Sequence, residues 1–117
     1  SIGDFEHDQP FTISCWIKLP KENGNKNFAI ASRMDESNAH RGWDLWVEDR
    51  RVGMHLAHKW PEDALKVVAK KQLKPDVWTL VMLSYNGSGN PGGIKIYYDG
   101  VMEQKPKVAN NKFKKNT

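Results

Sequence analysis

Strict alternation of large apolar and polar side chains is the strongest constraint in this chain. It is cleanest in "RGWDLWVEDRRVGMHLAHKWP", Arg41 to Pro61. Successive side chains of a β-strand point to opposite faces, so a period of two specifies strands with one dry and one wet side. Folding "GWDLWVE" onto "RVGMHLAH" with a turn at Asp49-Arg50 pairs Trp43 with Leu56, Leu45 with Met54 and Val47 with Val52. The opposite face then pairs Asp44 with His55, Trp46 with Gly53 and Glu48 with Arg51. Both ionic pairs are complementary, each adding ~0.2–1 kcal/mol, and a one-residue slip would mix the faces, so the register is well specified. The turn lacks the glycine that two-residue hairpins prefer, which leaves a longer loop open.

The same period recurs along the chain. Phe11, Ile13, Cys15 and Ile17 face one way, and Thr12, Ser14, Trp16 and Lys18 the other. "FAIAS" (28–32) is a short apolar run. "VWTLVMLSY" (77–85) is apolar on both faces, as a central strand is. "GIKIYYDGVME" reads as a hairpin turning at Asp99-Gly100, and "NGSGNPGG" (86–93) is a loop by composition. Strands spaced by roughly 8–12 residues predict an all-β sandwich or barrel. "WPEDALKVVAKKQL" reads two ways. Pro61, the early Glu62 and Asp63, the late Lys70 and Lys71, and the shared face of Leu65, Val68, Ala69 and Leu73 suit a helix. The short β-branched "LKVVAK" in an all-β context suits a strand.

A length of 117 residues predicts one small domain, and 38% apolar against 27% charged residues permits a core. No apolar run approaches the ~20 residues of a membrane-spanning helix, so membrane insertion is not expected. The net charge of +4 is uneven: Lys105, Lys107, Lys112, Lys114 and Lys115 follow the last acid, Glu103. Residues 1–104 are therefore expected to form the domain, and 105–117 a basic tail, poorly ordered or cut short. The chain opens at Ser1 without an initiator methionine or a leader, and is read as a piece of a longer protein whose targeting signal lies upstream. Cys15 is alone, so no disulfide forms within the segment, and it reads as a small buried hydrophobe.

The polar face of the central hairpin is the candidate site. Trp46 beside Gly53 leaves an indole plane uncovered, flanked by Asp44 and His55, with Trp60 just past the strand as either a rim residue or a plug. An aromatic plane ringed by a few hydrogen-bonding groups suits a sugar ring. The alternative is that this face lies under a loop or a neighbouring domain.

Other constellations are weaker. Asp35, Glu36 and Asn38 in "MDESNAH" offer oxygens of the kind calcium takes, although a plain polar turn explains them as well. His55 and His58 form H-x-x-H, but on a strand they point apart, and His7 and His40 are isolated. Asn86-Gly87-Ser88 fits the N-glycosylation pattern, which a glycine-rich loop also meets by chance. Asp44 and Glu48 sit roughly 13 Å apart at ~3.3 Å per strand residue, against ~5 Å or ~6.5–9.5 Å for glycoside hydrolysis, so catalysis is not expected. Nucleic-acid binding is not expected either, because the aromatics sit mostly among acids or in core positions while the lysines sit in the tail.

"FTISCWIKLP", "RMDESNAHRGWDLWVEDRRVGMHLAHKWPEDALKV" and "WTLVMLSYNGSGNPGGIKIYYDG" together resemble the concanavalin A-like lectin/glucanase superfamily. More narrowly, they resemble laminin-G-like jelly-roll domains of large bacterial secreted or envelope proteins, and the likeness runs from Phe5 to about Gln104. The resemblance implies two antiparallel sheets packed as a jelly roll, with "ALKVVAK" a strand. It implies a secreted, periplasmic or envelope location. Family members continue past the "Y-x-D-G" hairpin, and one later strand returns beside the first; here "KPKVANNKFKKNT" follows, so the last strands are expected to be missing and an edge left open. Two functions follow as expectations. One is a non-catalytic module binding a polysaccharide or glycan through Asp44, Trp46, His55 and Trp60, with no cofactor unless calcium at Asp35, Glu36 and Asn38. The other is a structural domain docking neighbouring domains of the parent protein.

Overall fold

In a computed structural model, which describes residues 8–22, 26–39 and 41–113, the alternating segments form two antiparallel sheets. The strands are β1 (Phe11–Ile17), β2 (Phe28–Asp35), β3 (Arg41–Glu48), β4 (Arg51–Lys59), β5 (Asp63–Val68), β6 (Thr79–Tyr85), β7 (Ile94–Tyr98), β8 (Val101–Met102) and β9 (Lys107–Asn111). One sheet has the order β1-β6-β7-β8 and the other β2-β3-β4-β5-β9. The two sheets pack face to face as a jelly-roll sandwich.

Period two decides which side chains meet between the layers. Leu45, Val47, Val52, Met54, Leu56, Leu65 and Val67 supply the five-stranded sheet's inner face, and Val81, Leu83, Tyr85, Ile94 and Ile96 that of the four-stranded sheet; all are essentially inaccessible to solvent. Each such side chain contributes about 1.5–3 kcal/mol by leaving water. Phe11 joins the layers through Trp43, with ring centres 5.9 Å apart, and makes an edge contact within its own sheet to Tyr85 at 5.7 Å.

The central hairpin has the expected register, Trp43↔Leu56, Asp44↔His55, Leu45↔Met54, Trp46↔Gly53 and Glu48↔Arg51. Its connection is the two-residue turn after all. Asp49 and Arg50 both take positive φ, 46° and 62°, a conformation disfavoured for side chains other than Gly, Asn and Asp. Neighbouring segments hold it in place. The Arg50 guanidinium donates to the Pro20 and Lys21 carbonyls, Gln72 Nε2 donates to the Asp49 carbonyl, and Leu73 N–H donates to that of Arg50. Asp99-Gly100 makes the other tight turn, with φ of 50° and 80°.

One open reading is decided here, in favour of the strand that the family resemblance implies, and one segment differs from expectation. Asp63–Val68 is a strand, not a helix: Leu65 and Val67 complete the core while the backbone pairs with β4 and β9, and these tertiary pairings outweigh the capping and dipole signals. The basic tail is not unstructured throughout. Lys107–Asn111 forms β9 on the edge of the five-stranded sheet, pairing with β5. Its lysines did not reveal this, because an edge strand exposed on its outer side tolerates charge. Val77 and Trp78 precede β6 and are exposed, so the central strand is shorter than its apolar run.

Candidate functional site

The outer face of the five-stranded sheet is built from the other half of the alternation. Ser32, Asp44, His55, Lys66 and Asn110 follow one another across β2, β3, β4, β5 and β9, and Ala29, Trp46, Gly53 and Val68 form the next row. Trp46 therefore has the two smallest available neighbours, alanine on one side and glycine on the other. Gly53 is required by more than the indole. A Cβ there would lie 2.7 Å from the Val67 carbonyl oxygen and 3.0 Å from Val68 Cγ2, so the close approach of β5 excludes a side chain. The resulting depression is a groove of about 370 Å³ lined by Ala29, Ser32, Met34, Glu36, Asp44, Trp46, His55 and Trp60, toward the lower end of the ~300–1,000 Å³ typical of ligand sites.

Its floor is a hydrogen-bonded carboxylate–imidazole pair. The Asp44 carboxylate meets His55 Nδ1 at 2.9 and 3.0 Å, and the His55 backbone N–H donates to Asp44 Oδ1 at 2.8 Å. Both residues are buried, and burial of this kind is sustained only by mutual pairing. The Nδ1 contact to a carboxylate fixes Nδ1 as the protonated nitrogen. Nε2 has no hydrogen-bond partner among the described residues and is not sealed from solvent.

Two indoles flank this floor. The His55 ring makes edge contacts with Trp46 and Trp60, centre to centre 5.1 and 4.9 Å, with interplanar angles of 80° and 83°. Trp46 is anchored at its edge, its Nε1–H donating to Glu48 Oε1 at 3.0 Å, while Glu48 also pairs with Lys66. Partial burial pushes the Glu48 carboxyl up. The hydrogen bonds from Lys66 and Trp46, with the charges of Lys66 and His55, outweigh that and hold it below the usual carboxylate range. Trp60 is positioned by its backbone N–H, which donates to the Ala39 carbonyl at 2.8 Å and draws the end of β4 to the turn that carries Glu36.

The four residues singled out in the sequence, Asp44, Trp46, His55 and Trp60, thus line one groove, with Trp60 at its wall. Ala29, Ser32 and Met34 on β2 and Glu36 after it were not anticipated, because the irregularity between Ala29 and Ala31 sets which β2 residues face outward. The calcium candidates are divided between a 3-10 turn and the groove. Asp35 Oδ1 accepts from the Ser37 backbone N–H and hydroxyl, at 3.1 and 2.6 Å, capping the 3-10 turn Glu36–Asn38, and Glu36 belongs to the groove. Among the described residues no group of three or more His, Cys, Asp or Glu side chains is placed to hold a metal ion. His7 and His40 lie outside the described residues. Asn86 Oδ1 accepts from Ser88 N–H at 3.0 Å within its loop. Cys15 is half-buried against the core, and burial pushes its thiol up.

A feature that the sequence did not single out lies on the opposite sheet. Trp16 and Trp78 are 62% and 59% exposed; Trp16 lies on β1, and Trp78 just before β6.

Two antiparallel sheets packed face to face, with an aromatic groove on one outer face, define a β-sandwich domain. A family model for the concanavalin A-like lectin/glucanases superfamily matches residues 1–117, and the chain belongs to that superfamily. It is also 27% identical over 96 residues to a protein named botulinum neurotoxin type X, from Clostridium botulinum; the match covers 82% of this chain and 7% of the relative. The chain thus spans a small fraction of that relative's length. No solved structure gives a significant match, and no helix among the described residues is long and apolar enough to cross a membrane.

Proposed function

We propose that this chain is a non-catalytic carbohydrate-binding module of a larger protein, with Trp46 and Trp60 as stacking surfaces and Asp44 and His55 as the polar floor. The observation that carries this reading is the pairing of Trp46 with both Gly53 and Ala29, which leaves a large aromatic side chain beside a groove and not beneath a neighbour. A sugar presents an apolar ring face to such a surface and hydroxyls to the groups around it. Binding without hydrolysis is supported by the engagement of both strand carboxylates, Asp44 by His55 and Glu48 by Trp46 and Lys66. Capping by Asp35 supports binding without calcium, and the lack of lysine or arginine in the groove lining argues against nucleic acid. A secreted or envelope location goes with this reading, because polysaccharide ligands are met there. Affinity electrophoresis through polysaccharide gels is the test. Retardation that disappears in Trp46→Ala supports the module; no retardation on any glycan, sulfated ones included, overturns it.

A second reading has its own observation. Trp16 on β1 and Trp78 just before β6, both exposed, support a structural role in which this side of the molecule docks a neighbouring domain of the parent protein. Failure of every glycan in the electrophoresis would leave this reading.

A further inference from the structure

The chemistry of the groove lining points beyond sugars in general. This deepening rests on the carbohydrate reading above. The chain as a whole carries 18 Lys and Arg against 14 Asp and Glu, yet the groove is lined by two carboxylates, Glu36 and Asp44, and by no lysine or arginine. The Ser32 hydroxyl and the Trp60 indole N–H can donate there, but neither carries charge, and the charged groups of the lining are acceptors. Carboxylates accept only, and the His55 Nδ1 is committed to Asp44. The Trp46 indole N–H is already given to Glu48. A ligand that fits this surface donates hydrogen bonds and carries positive charge.

The walls favour the same charge. Trp46 and Trp60 lie on the one imidazole at 5.1 and 4.9 Å, so the two indole centres are no more than about 10 Å apart and a group between them lies within cation–π range, ~6 Å, of a ring. Met34 adds a polarizable wall. Glu36 is exposed and makes no hydrogen bond or ion pair among the described residues, which leaves its carboxylate available to a ligand ammonium. A neutral sugar uses the acceptors but gains nothing from this charge. We propose that the groove between Trp46, Trp60 and Glu36 selects amino sugars with a free, protonated amine over their neutral or N-acetylated counterparts.

The test is isothermal titration of the intact chain with glucosamine oligomers and N-acetylglucosamine oligomers of equal length, at mildly acid pH, with a small alkylammonium salt as a third ligand. The expected result is binding of the free-amine oligomer about tenfold tighter than the acetylated one, and a Glu36→Gln variant in which most of that preference is gone. Equal or tighter binding of the acetylated oligomer overturns the charge selection and leaves the carbohydrate reading standing. No binding of any saccharide by a chain that keeps its β-sheet circular dichroism overturns both. Alkylammonium binding as tight as that of the amino sugar shows recognition of the ammonium alone and overturns the sugar part. Preference retained in full by Glu36→Gln overturns the placement of the cation.

Discussion

Asp44 holds His55 at three points, with both carboxylate oxygens against Nδ1 and Oδ1 against the backbone N–H. The pair sits on the outer face of a sheet yet is buried, because Trp46 and Trp60 close over the imidazole from two sides. Orientation of the ring is therefore a property of the fold, present before any ligand arrives. Preorganisation of this kind lowers the ordering cost of binding.

Removing the acceptor should be costly. Asp44→Ala leaves the His55 backbone N–H and Nδ1–H without partners in a buried setting, and breaking a buried pair from one side typically costs about 3–5 kcal/mol. Urea denaturation should show a lower midpoint with an unchanged slope. A loss below about 1 kcal/mol would mean that water reaches the dyad and that the indoles do not close it off.

Glu48 should act through Trp46. Glu48→Ala releases the indole N–H and leaves Lys66 without its partner, but Glu48 and Lys66 are both partly exposed, so global stability should fall by less than about 1 kcal/mol. Glycan affinity should fall roughly three- to tenfold, as an indole free to leave its rotamer pays ordering entropy on binding. Trp46→Phe, which keeps a ring but loses the N–H, should behave likewise. An unchanged affinity in Glu48→Ala would show that packing alone orients the indole.

How much of this was legible in the residues depends on the range of the interaction. The central hairpin was, down to Asp44↔His55 and Trp46↔Gly53, because the alternation of Trp43, Leu45 and Val47 against Val52, Met54 and Leu56 permits one register. The two-residue turn was harder to read, because Arg50 holds its positive φ through contacts with Pro20 and Lys21, about 30 positions away in sequence. Neither Asp63–Val68 nor Lys107–Asn111 is decisive alone: β5 is a strand because β4 and β9 pair with it, and β9 because β5 does. The groove was half legible. β3 and β4 contributed residues whose facing follows from period two, whereas the irregularity near Ile30 broke that period in β2 and concealed Ala29, Ser32 and Met34.

Gly42 marks a backbone constraint at the edge of the same face. Its φ is +136°, and a Cβ there would lie 1.8 Å from the Arg33 carbonyl oxygen on the paired strand. Gly42→Ala must push β2 away from β3, displacing the strand that carries Ser32 and Met34. Destabilisation of about 2–4 kcal/mol is expected, together with loss of glycan binding in any fraction that remains folded. Thermal unfolding followed by circular dichroism measures the first. A midpoint within 2–3 °C of the parent, roughly 0.5 kcal/mol for a domain of this size, would contradict the required closeness of the strands.

Tyr98 gives the fold a defined alkaline limit. Its hydroxyl donates to the Lys71 carbonyl at 2.8 Å and accepts from the Val52 backbone N–H at 3.1 Å, tying the four-stranded sheet to the other layer. Burial, chiefly, pushes its pKa up to about 12. A folded-state value above the unfolded one of about 10 means that folding favours the protonated phenol; the stabilisation is complete below pH ~10 and is lost as pH rises from ~10 to ~12. The shift corresponds to roughly 3 kcal/mol, and Tyr85, also raised by burial, works in the same direction. Unfolding free energy measured by urea titration at a series of pH values should therefore fall steeply over that interval, with tyrosinate absorbance rising in step. Tyr98→Phe should lose about 1–3 kcal/mol at neutral pH, from the unpaired Val52 N–H and Lys71 carbonyl, while showing a flatter alkaline profile. An equally steep profile in that variant would assign the alkaline limit to other groups.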